Sequence, residues 1–588
     1  MDSKHVTEST SGQKDIQKTW WKEVIIYQIY PRSFQDSDGD GIGDLNGITS
    51  RLDYIQSLGV DIIWLNPIFL SPNDDNGYDI SDYREIMREF GTMEDFDRLL
   101  KEIHKRGMRL VLDLVVNHTS DEHPWFEEAR KSRHNPYYNY YHWWPAEKGE
   151  PPLRLSYFDE EGNAWMYNKS TDSYYLHYFS RKQPDLNWEN PEVRQEIFDM
   201  MRFWFDKGID GFRMDSISLI AKDPSFPLID SKKYPDIFSF YAKEPRLHLY
   251  LHEMNRQVLS KYDCMSVGEG SAVMVDDVAK FVDPAREELN MLYHFDAARI
   301  RNTTLPDNPE SGIDYSLIAL KKMFTEWDKA VDKGWPSIYL GNHDQPRMVS
   351  RFGSDKDEFR ALSAKMLITF LLTMRGTPYW FAGDEIGMRN IRFDRIEDYN
   401  DIDTINRYKK AKAEGKDPQA VLDEQKETGR DNARTPFQWD RSPEAGFTAG
   451  TPWLKVNPDY TWINVADEEK DPTSILNYFK KVVSFRKENP SLIYGSYHLL
   501  DAENPQCYIF LRKTGADTYL IMLNFSPKAA ISTPGIDMSN AHVLLDNYGD
   551  RSHMAPQKDI TLRPFEAIVF QLNHPVYESF IDSLDLLE

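Results

Sequence analysis

Cysteine is nearly absent from this chain. Its 588 residues include only Cys264 and Cys507, so at most one disulfide can form and a cysteine-rich metal cluster is excluded. Such usage is typical of a reducing compartment. The first 19 residues are polar and have no apolar core of the kind that a signal peptide needs. We therefore predict a cytoplasmic protein.

Long apolar runs and an excess of positive charge are also missing. The longest apolar runs, such as LITFLLTM at 367–374, are far shorter than the roughly 20 residues that span a bilayer. Asp and Glu number 95 against 70 Lys and Arg, which gives a formal net charge of −25. Because an acidic surface repels nucleic acids and anionic membranes, we expect neither as a partner.

Apolar runs rich in β-branched residues alternate with helical patterns along most of the chain. Eight runs are predicted as buried strands, at 24–31, 60–67, 109–118, 211–217, 263–270, 288–296, 336–344 and 376–385. Among the segments between them, 95–107 and 191–208 have apolar residues at helical spacing. Strands that alternate with helices indicate a parallel sheet, and eight such units predict a (β/α)8 TIM barrel of the α/β class.

Two segments interrupt this alternation. Residues 119–187 are rich in aromatics and turns and contain no convincing long helix, which predicts an inserted, loop-rich domain after the third strand. After the helical pattern at 474–490, short strands predict a C-terminal antiparallel β-sandwich. The predicted units are a polar tail at 1–19, the barrel at 20–118 and 188–492, the inserted domain at 119–187 and the C-terminal domain at 493–588.

Carboxylates follow three of the predicted strands. Asp215, Glu269 and Asp344 each come at the end of a β-rich run. In a TIM barrel the C-terminal ends of the strands open on one face, where catalytic residues lie. A single carboxylate there could be a helix cap or one partner of a buried ion pair. Three carboxylates from three strands instead indicate a catalytic site.

Hydrolysis of a glycoside requires two carboxyl groups, one that attacks the anomeric carbon and one that protonates the leaving oxygen. Arg213 lies two residues before Asp215, so both side chains point to the same side of the strand. The guanidinium would keep Asp215 ionised. Glu269 lies between two glycines with no neighbouring cation in the sequence, which suits a protonated acid.

These residues lie in motifs that resemble those of glycoside hydrolase family 13, the α-amylase family. DLVVNH (113–118), GFRMD (211–215), VGE (267–269) and NHD (342–344) are similar to the four family motifs, in the family order. QPDLN (183–187), GYDISDY (77–83) and RDNARTPFQW (430–439) resemble its oligo-1,6-glucosidase and α-glucosidase group. The resemblance extends from about Trp20 into the C-terminal domain.

The resemblance implies a role for each site residue. Asp215 would be the nucleophile, Glu269 the acid/base, and Asp344 would grip the 2- and 3-hydroxyls of the glucose and distort its ring. The residues that would bind the same sugar are His118, Gln183, Arg213 and His343, with Tyr78 stacked on the ring. Asp79 and Arg434 would close the pocket at the 4- and 6-hydroxyls, which would make the enzyme exo-acting.

An acidic loop near the N-terminus predicts a metal site. Asp36, Asp38, Asp40 and Asp44 occupy positions 1, 3, 5 and 9 of DSDGDGIGDLNG, and Ile42 offers its carbonyl at position 7. This copies the start of a calcium loop, but Gly47 stands at position 12, where an EF-hand needs Glu. We expect a structural calcium or magnesium ion, the alternative being an acidic turn without metal. No organic cofactor is expected.

The resulting hypothesis is a retaining, exo-acting α-glucosidase that hydrolyses terminal α-1,4- or α-1,6-linked glucose from short malto- or isomalto-oligosaccharides. A transglucosylase or a sucrose or maltose isomerase stays open, because all of these would share one covalent intermediate. The partner is a small oligosaccharide or disaccharide, and we expect a monomer or weak homo-oligomer.

Several positions bear on these alternatives. Ser216 follows Asp215 where α-1,6-specific relatives typically have Val, so the linkage stays open. WFAGDEIGM (380–388) also differs from the more usual YQGEEIGM. The segment 295–309 lacks the arginine-rich pattern of sucrose isomerases, which disfavours isomerisation. A non-enzymatic amylase-like subunit would need a lost carboxylate and a transmembrane helix, and the sequence has neither feature.

Overall fold

Eight parallel strands form the central sheet of a computed structural model that describes residues 18–158, 162–234, 236–515, 517–536, 538, 541–551 and 559–572. In chain order they are Ile26–Ile29, Ile62–Leu65, Arg109–Val115, Gly211–Asp215, Met265–Glu269, Met291–Tyr293, Ser337–Ile338 and Thr377–Phe381. Their spatial order is sixth, fifth, fourth, third, second, first, eighth, seventh. This is the order of a barrel opened between the sixth and seventh strands.

Side chains join the two strands at this opening. The Ser337 hydroxyl donates to the carbonyl of Leu292 at 2.9 Å. The Tyr339 hydroxyl donates to the carbonyl of His294 at 2.6 Å. The predicted (β/α)8 barrel is confirmed, and every predicted strand contains one of its eight strands.

The barrel strands are buried along their length except at Arg109, the first residue of the third strand, which explains their nearly continuous apolar composition. The predicted strands at 288–296 and 336–344 are much longer than the observed Met291–Tyr293 and Ser337–Ile338. Beyond those ends the chain leaves the sheet and carries His294 and His343 away from the ladder. The apolar pattern continues there because these residues are still buried.

Helices surround the barrel, among them those predicted at 95–107, 191–208 and 474–490. Those of six or more residues are Leu45–Ser50, Leu52–Ser57, Met93–Lys105, Pro124–Ala129, Pro191–Lys207, Arg246–Gln257, Asp296–Thr303, Leu317–Ala330, Arg360–Thr373, Ile402–Ala413, Pro418–Thr428 and Ile475–Glu488. The third of these begins at a capping box of Thr92 and Asp95, and its predicted apolar face is buried. The helix Pro191–Lys207 ends at Gly208, whose φ of 108° is a conformation that favours glycine.

The described part of the segment 119–187 contains a small antiparallel sheet and one α-helix, Pro124–Ala129. Trp143–Pro145, Ser173–Leu176 and Trp165–Asn168 are its strands, with Ser173–Leu176 in the middle. An isolated antiparallel bridge pairs His118 with Asp185, so both ends of the segment meet just beyond the third barrel strand. The segment therefore lies at the face where the barrel strands end.

The C-terminal part is an antiparallel sandwich, as predicted. Its five-stranded sheet contains, in spatial order, Ser496–Leu500, Cys507–Thr514, Asp517–Asn524, Ala567–Leu572 and His542–Asp546. Ala530–Ser532 and Ile560–Leu562 form a second, two-stranded sheet, and Ile509 and Met522 of the large sheet belong to one apolar cluster with Ile560. On the opposite face Tyr508 packs on Phe370 of the barrel, with ring centroids 5.1 Å apart.

Two buried arginines lie at the joint between the barrel and this sheet, Arg486 on the last barrel helix and Arg512 on the strand Cys507–Thr514. Arg486 donates to the carbonyls of Leu372 at 2.8 Å and Leu492 at 3.0 Å. Arg512 donates to the carbonyls of Thr373 at 2.6 Å and Leu492 at 2.8 Å. Both arginines are at most 1% exposed. Their acceptors include the last carbonyls of the helix Arg360–Thr373, which have no partner within that helix.

The described residues include no membrane-spanning helix and no disulfide. No helix there is long and apolar enough to cross a membrane. Cys264 and Cys507 are free thiols, the first half-buried and the second buried. Most of the predicted tail, at 1–17, and the last residues of the C-terminal domain, at 573–588, lie outside the described residues.

Candidate active site

Arg213 lies at the centre of the carboxylate cluster. Its strand lies between the third and fifth strands, and Arg213 pairs in register with Asp113 on one side and Val267 on the other. The guanidinium donates to Asp113 at 3.1 Å, to Asp215 at 2.8 Å and to Glu269 at 2.5 Å. One buried cation therefore binds three carboxyl groups. Glu269 has no neighbouring cation in the sequence, but Arg213 reaches its carboxyl group from the adjacent strand.

Burial raises the pKa values of the two predicted catalytic groups, and it raises that of Glu269 further than that of Asp215. It raises the pKa of Asp215 to about 6, although Arg213 acts in the opposite direction. It raises the pKa of Glu269 to about 8, again against Arg213, and the nearby charges of Asp215 and Asp344 add to the rise. Between these two values Asp215 is ionised and Glu269 holds its proton, which is the pair of states that a nucleophile and an acid require.

The backbone next to the nucleophile also contacts the acid. Ser216 has a φ of 43°, in the left-handed region that few residues other than glycine adopt. In this conformation its backbone N–H donates to Glu269 Oε2 at 3.1 Å, and the Ser271 hydroxyl donates to Oε1 at 3.1 Å. Glu269 is therefore fixed from both sides.

Asp344 is surrounded by positive charge. Burial alone would raise its pKa, but the charges of Arg430 and Arg434, together with the interaction with His343, hold it well below its usual range. Arg434 donates to Asp344 Oδ1 at 2.9 Å and to the carbonyl of His343 at 2.9 Å. Asp344 is thus a permanent carboxylate, suited to accept hydrogen bonds from sugar hydroxyls.

His343 and Tyr78 form one hydrogen-bonded unit. Gln28 donates to His343 Nδ1 at 2.8 Å, and burial lowers the pKa of His343 to about 3, so the neutral ring has its proton on Nε2. That nitrogen lies 2.7 Å from the Tyr78 hydroxyl, which donates to Asp113 at 2.8 Å. The rings of Tyr78 and His343 are stacked with centroids 5.3 Å apart.

His118 and Gln183 lie on the side of the inserted segment. Asn117 donates to His118 Nδ1 at 3.2 Å, and His118 Nε2 lies 3.1 Å from the carbonyl of Tyr78. Burial lowers the pKa of His118 to about 3, so the ring is neutral and Nε2 donates. Gln183 donates to Asp75 at 3.2 Å. The structure brings both predicted residues to the same site as Tyr78.

The expected pair of Asp79 and Arg434 is not formed. Asp79 is fully buried, and its carboxylate accepts from the Ser71 hydroxyl at 2.9 Å and from the backbone N–H of Asp74 at 2.9 Å. The Asp79 carboxylate therefore stabilises the loop 71–79. Asp75 instead faces an arginine, Arg430, at 3.4 Å, and Arg430 also reaches Asp344 at 3.3 Å. Asp75 and Arg430 take the place that the prediction gave to Asp79 and Arg434.

The acidic loop brings together three of its four predicted aspartates. One carboxylate oxygen from each of Asp36, Asp38 and Asp40 lies within 4.8 Å of the other two. Asp44 instead caps the helix Leu45–Ser50, accepting from the backbone N–H of Gly47 at 2.7 Å. Ile42 donates its N–H to Asp40 at 2.7 Å. The loop therefore offers carboxylate oxygens of the kind that calcium and magnesium prefer as ligands, from Asp36, Asp38 and Asp40. The carboxylate of Asp44 caps the helix instead.

A family model for the α-amylase catalytic domain matches residues 28–495. The chain belongs to the α-amylase family. This family member is 51% identical over 571 residues to an oligo-1,6-glucosidase from Parageobacillus thermoglucosidasius, covering 95% of the chain and 100% of the relative. It is 49% identical over 567 residues to an oligo-1,6-glucosidase from Bacillus cereus, with coverage of 95% and 100%.

Among solved structures, the chain is similar to the trehalulose synthase MutB from Pseudomonas mesoacidophila MX-45. The TM-score is 0.89 and the identity 43%, covering 94% of this chain and 99% of that one. The resemblance to glycoside hydrolase family 13 is thereby confirmed, and this α-amylase-family protein is a glycoside hydrolase.

Three residues of this α-amylase-family site were not found from the sequence. Tyr293 accepts a hydrogen bond from Arg213 Nε at 2.6 Å, and Arg430 lies 3.4 Å from Asp75 and 3.3 Å from Asp344. Tyr293 ends the sixth strand opposite Glu269, a position that could have identified it. Arg430 lies four residues before Arg434, which is the separation of neighbours on a helical turn.

Proposed function

We propose that the protein is a retaining, exo-acting α-glucosidase that removes terminal α-linked glucose from short oligosaccharides. The observation that carries the proposal is the shared contact of Asp215 and Glu269 with Arg213, combined with pKa values of about 6 and about 8. Near neutral pH one carboxyl group is a nucleophile and the other is an acid. Double displacement at an anomeric carbon needs this pair.

The first step forms a covalent glucosyl-enzyme. Asp215 attacks the anomeric carbon while Glu269 gives its proton to the glycosidic oxygen, and the bond from that oxygen to the anomeric carbon breaks. In the second step Glu269, now a carboxylate, takes a proton from water. The water oxygen attacks the same carbon and releases Asp215, so the product keeps the α configuration.

The contacts around Arg430 support exo-action. Asp75, Arg430 and Asp344 link the loop after the second strand to the loop after the seventh. Such a barrier at the end of the pocket would admit only the terminal glucose of a chain. The names of the relatives favour α-1,6-linked substrates, and Ser216 keeps α-1,4-linked substrates within the proposal.

The stereochemistry of the first product tests this function. Proton NMR of a fresh reaction on isomaltose or maltose is expected to show α-glucose first, with β-glucose appearing only at the rate of mutarotation. If β-glucose formed first, the enzyme would invert, and Asp215 could not be the nucleophile of a double displacement.

Sucrose isomerisation is a second candidate, favoured by the similarity to structures of trehalulose synthase MutB, one of them in complex with the substrate sucrose. The segment 295–309 lacks the arginine-rich pattern expected for that reaction. A product profile on maltose, isomaltose, sucrose and trehalose separates the two. Free glucose as the main product supports hydrolysis, and an isomer of sucrose as the main product supports the alternative.

We also propose that Asp36, Asp38 and Asp40 hold one calcium or magnesium ion with a structural role. Burial raises the pKa of Asp40, and the neighbouring charges of Asp38, Asp36 and Asp44 raise it further. A bound divalent cation would relieve this repulsion. The loop packs on 447–453 through backbone hydrogen bonds, among them one from Asp36 to Phe447 at 3.0 Å, so the ion would hold two distant parts of the chain together.

Asp38→Ala is therefore expected to remove the stabilisation that added calcium gives. An ion at a hundredfold excess over its Kd contributes about 2.7 kcal/mol to the free energy of unfolding. Thermal unfolding with calcium and with a chelator measures this difference, and Asp332→Ala, an exposed aspartate outside the loop, is the control. Turnover at low temperature should change little. A chelator that stopped turnover at once without lowering the unfolding temperature would indicate a catalytic metal instead.

A further inference from the structure

Two helices form a hairpin that begins and ends at charged residues. Ile402–Ala413 and Pro418–Thr428 pack together, with the Thr404 hydroxyl 2.9 Å from the side-chain amide of Gln425. Asp401 precedes the first helix and Arg430 follows the second. The two residues meet, since Arg430 Nε donates to Asp401 Oδ1 at 2.6 Å. This ion pair closes the hairpin at its base.

The carboxylate of Asp401 is divided between two tasks. Its Oδ2 accepts from the Thr404 N–H at 3.0 Å and from the Thr404 hydroxyl at 2.7 Å, which caps the first helix. Its Oδ1 accepts from Arg430 and lies 2.5 Å from Nη2. Asp401 is fully buried. Burial would raise its pKa, but Arg430 and Arg434 lower it below the ordinary value, so the group stays charged.

Arg430 lies closer to Asp401 than to either Asp75 or Asp344. Its distances to Asp344 and Asp75 are 3.3 and 3.4 Å, against 2.5 Å to Asp401. The guanidinium also lies over the ring of Phe158, 4.9 Å from its centroid. The hairpin also holds the backbone of this residue, because Asn406 donates to the carbonyl of Phe158 at 2.7 Å. The hairpin thus contacts both Arg430 and Phe158, whose ring lies under the guanidinium.

We propose that Asp401 is a positioning residue of the glucose pocket, which holds Arg430 between Asp75 and Asp344 so that the end of the pocket is closed. This inference rests on the proposed function, because the closed end is what a terminal glucose would meet. Asp401 itself would not touch the sugar. Its effect on the reaction passes through Arg430.

Asp401→Asn tests the proposal with little effect on the helix. Asparagine is as good a helix cap as aspartate, so the contact with Thr404 can remain. The asparagine side chain has no negative charge to bind Arg430. Its amide N–H groups would also point toward the guanidinium, which is itself a donor. Asp417→Asn is the matched control, because Asp417 caps the second helix by accepting from Gln419 at 2.9 Å and is exposed.

On nitrophenyl α-glucoside, Asp401→Asn is expected to lower kcat/KM by about ten- to a hundredfold, since a displacement of about 1 Å can cost on the order of a hundredfold. The loss should appear mainly in KM, as expected for a contact made in both ground and transition states. Asp417→Asn should match the unsubstituted enzyme. Equal kinetics of the two variants would overturn the proposal, as would an unfolding temperature that fell in proportion to activity.

A double variant separates positioning from a general structural role. If Asp401 acts through Arg430, then Asp401→Asn combined with Arg430→Ala should be no less active than Arg430→Ala alone. Losses that multiply would show an independent role and reject the proposal. Calorimetric titration with glucose gives a test without turnover, in which Asp401→Asn should weaken binding about tenfold or more. An unsubstituted enzyme that binds glucose but releases none from glucosides would reject the proposed function while leaving this test valid.

Discussion

Asp215→Ala is expected to remove nearly all turnover on every glucoside, with a loss on the order of 10⁴-fold or more. The alanine cannot form the covalent intermediate. Asp113, the other carboxylate on Arg213, is occupied by hydrogen bonds from Tyr78 and Arg213 and is 1% exposed. Steady-state rates on isomaltose and nitrophenyl α-glucoside measure the loss. Asp223→Ala, in the loop after the same strand, is the control.

Added azide should restore part of the lost reaction on nitrophenyl α-glucoside. The anion would occupy the space of the missing carboxylate, attack the anomeric carbon and release nitrophenolate, so that the product is a β-glucosyl azide. A variant that kept a tenth of its activity without azide would point to another nucleophile. An α-glucosyl azide would be equally inconsistent with attack from the position of Asp215.

Glu269→Gln is expected to produce a loss that depends on the leaving group. Hydrolysis of isomaltose or maltose should fall by about 10²–10⁴-fold, because the glycosidic oxygen then leaves without a proton. Formation of the glucosyl-enzyme from nitrophenyl α-glucoside should be largely spared, since nitrophenolate needs little protonation. Azide should then speed release of the intermediate and give an α-glucosyl azide. Similar losses on both types of substrate would argue against Glu269 as the acid.

The same variant should change the dependence of the rate on pH. For the unsubstituted enzyme, kcat/KM should rise as pH passes about 6, where Asp215 loses its proton, and fall above about 8, where Glu269 loses its proton. Glu269→Gln should keep the acid limb and lose the alkaline limb. An alkaline limb that persisted in this variant would belong to another group.

The barrel was predictable because its strands are buried on both faces. Such strands appear in the sequence as continuous apolar runs, and each of the eight runs holds one barrel strand. Their ends were less predictable. Residues such as Tyr339 and Leu340 are apolar and buried but lie outside the ladder, so their burial is visible in the sequence while their missing strand pairing is not.

The site was predictable where its residues lie on strands. Arg213 and Asp215 are two residues apart, and alternation places both on one face. The loops gave less. Asp75 and Asp79 both lie in a polar run, and only the fold determines that Asp79 accepts from its own loop while Asp75 faces Arg430. The cation next to Glu269 is Arg213, which lies on a neighbouring strand, and the residues adjacent to Glu269 in the sequence do not indicate that contact.

The buried arginines at the joint with the C-terminal sheet have a consequence for recombination between relatives. Arg486 and Arg512 bind backbone carbonyls, such as that of Leu492, and every sequence supplies those carbonyls. The side chains that line the joint can therefore diverge without loss of its hydrogen bonds. A sheet transplanted from another member of the family needs to bring one arginine, at the position of Arg512. A chain that stops before that residue leaves the carbonyl of Thr373 without its buried donor.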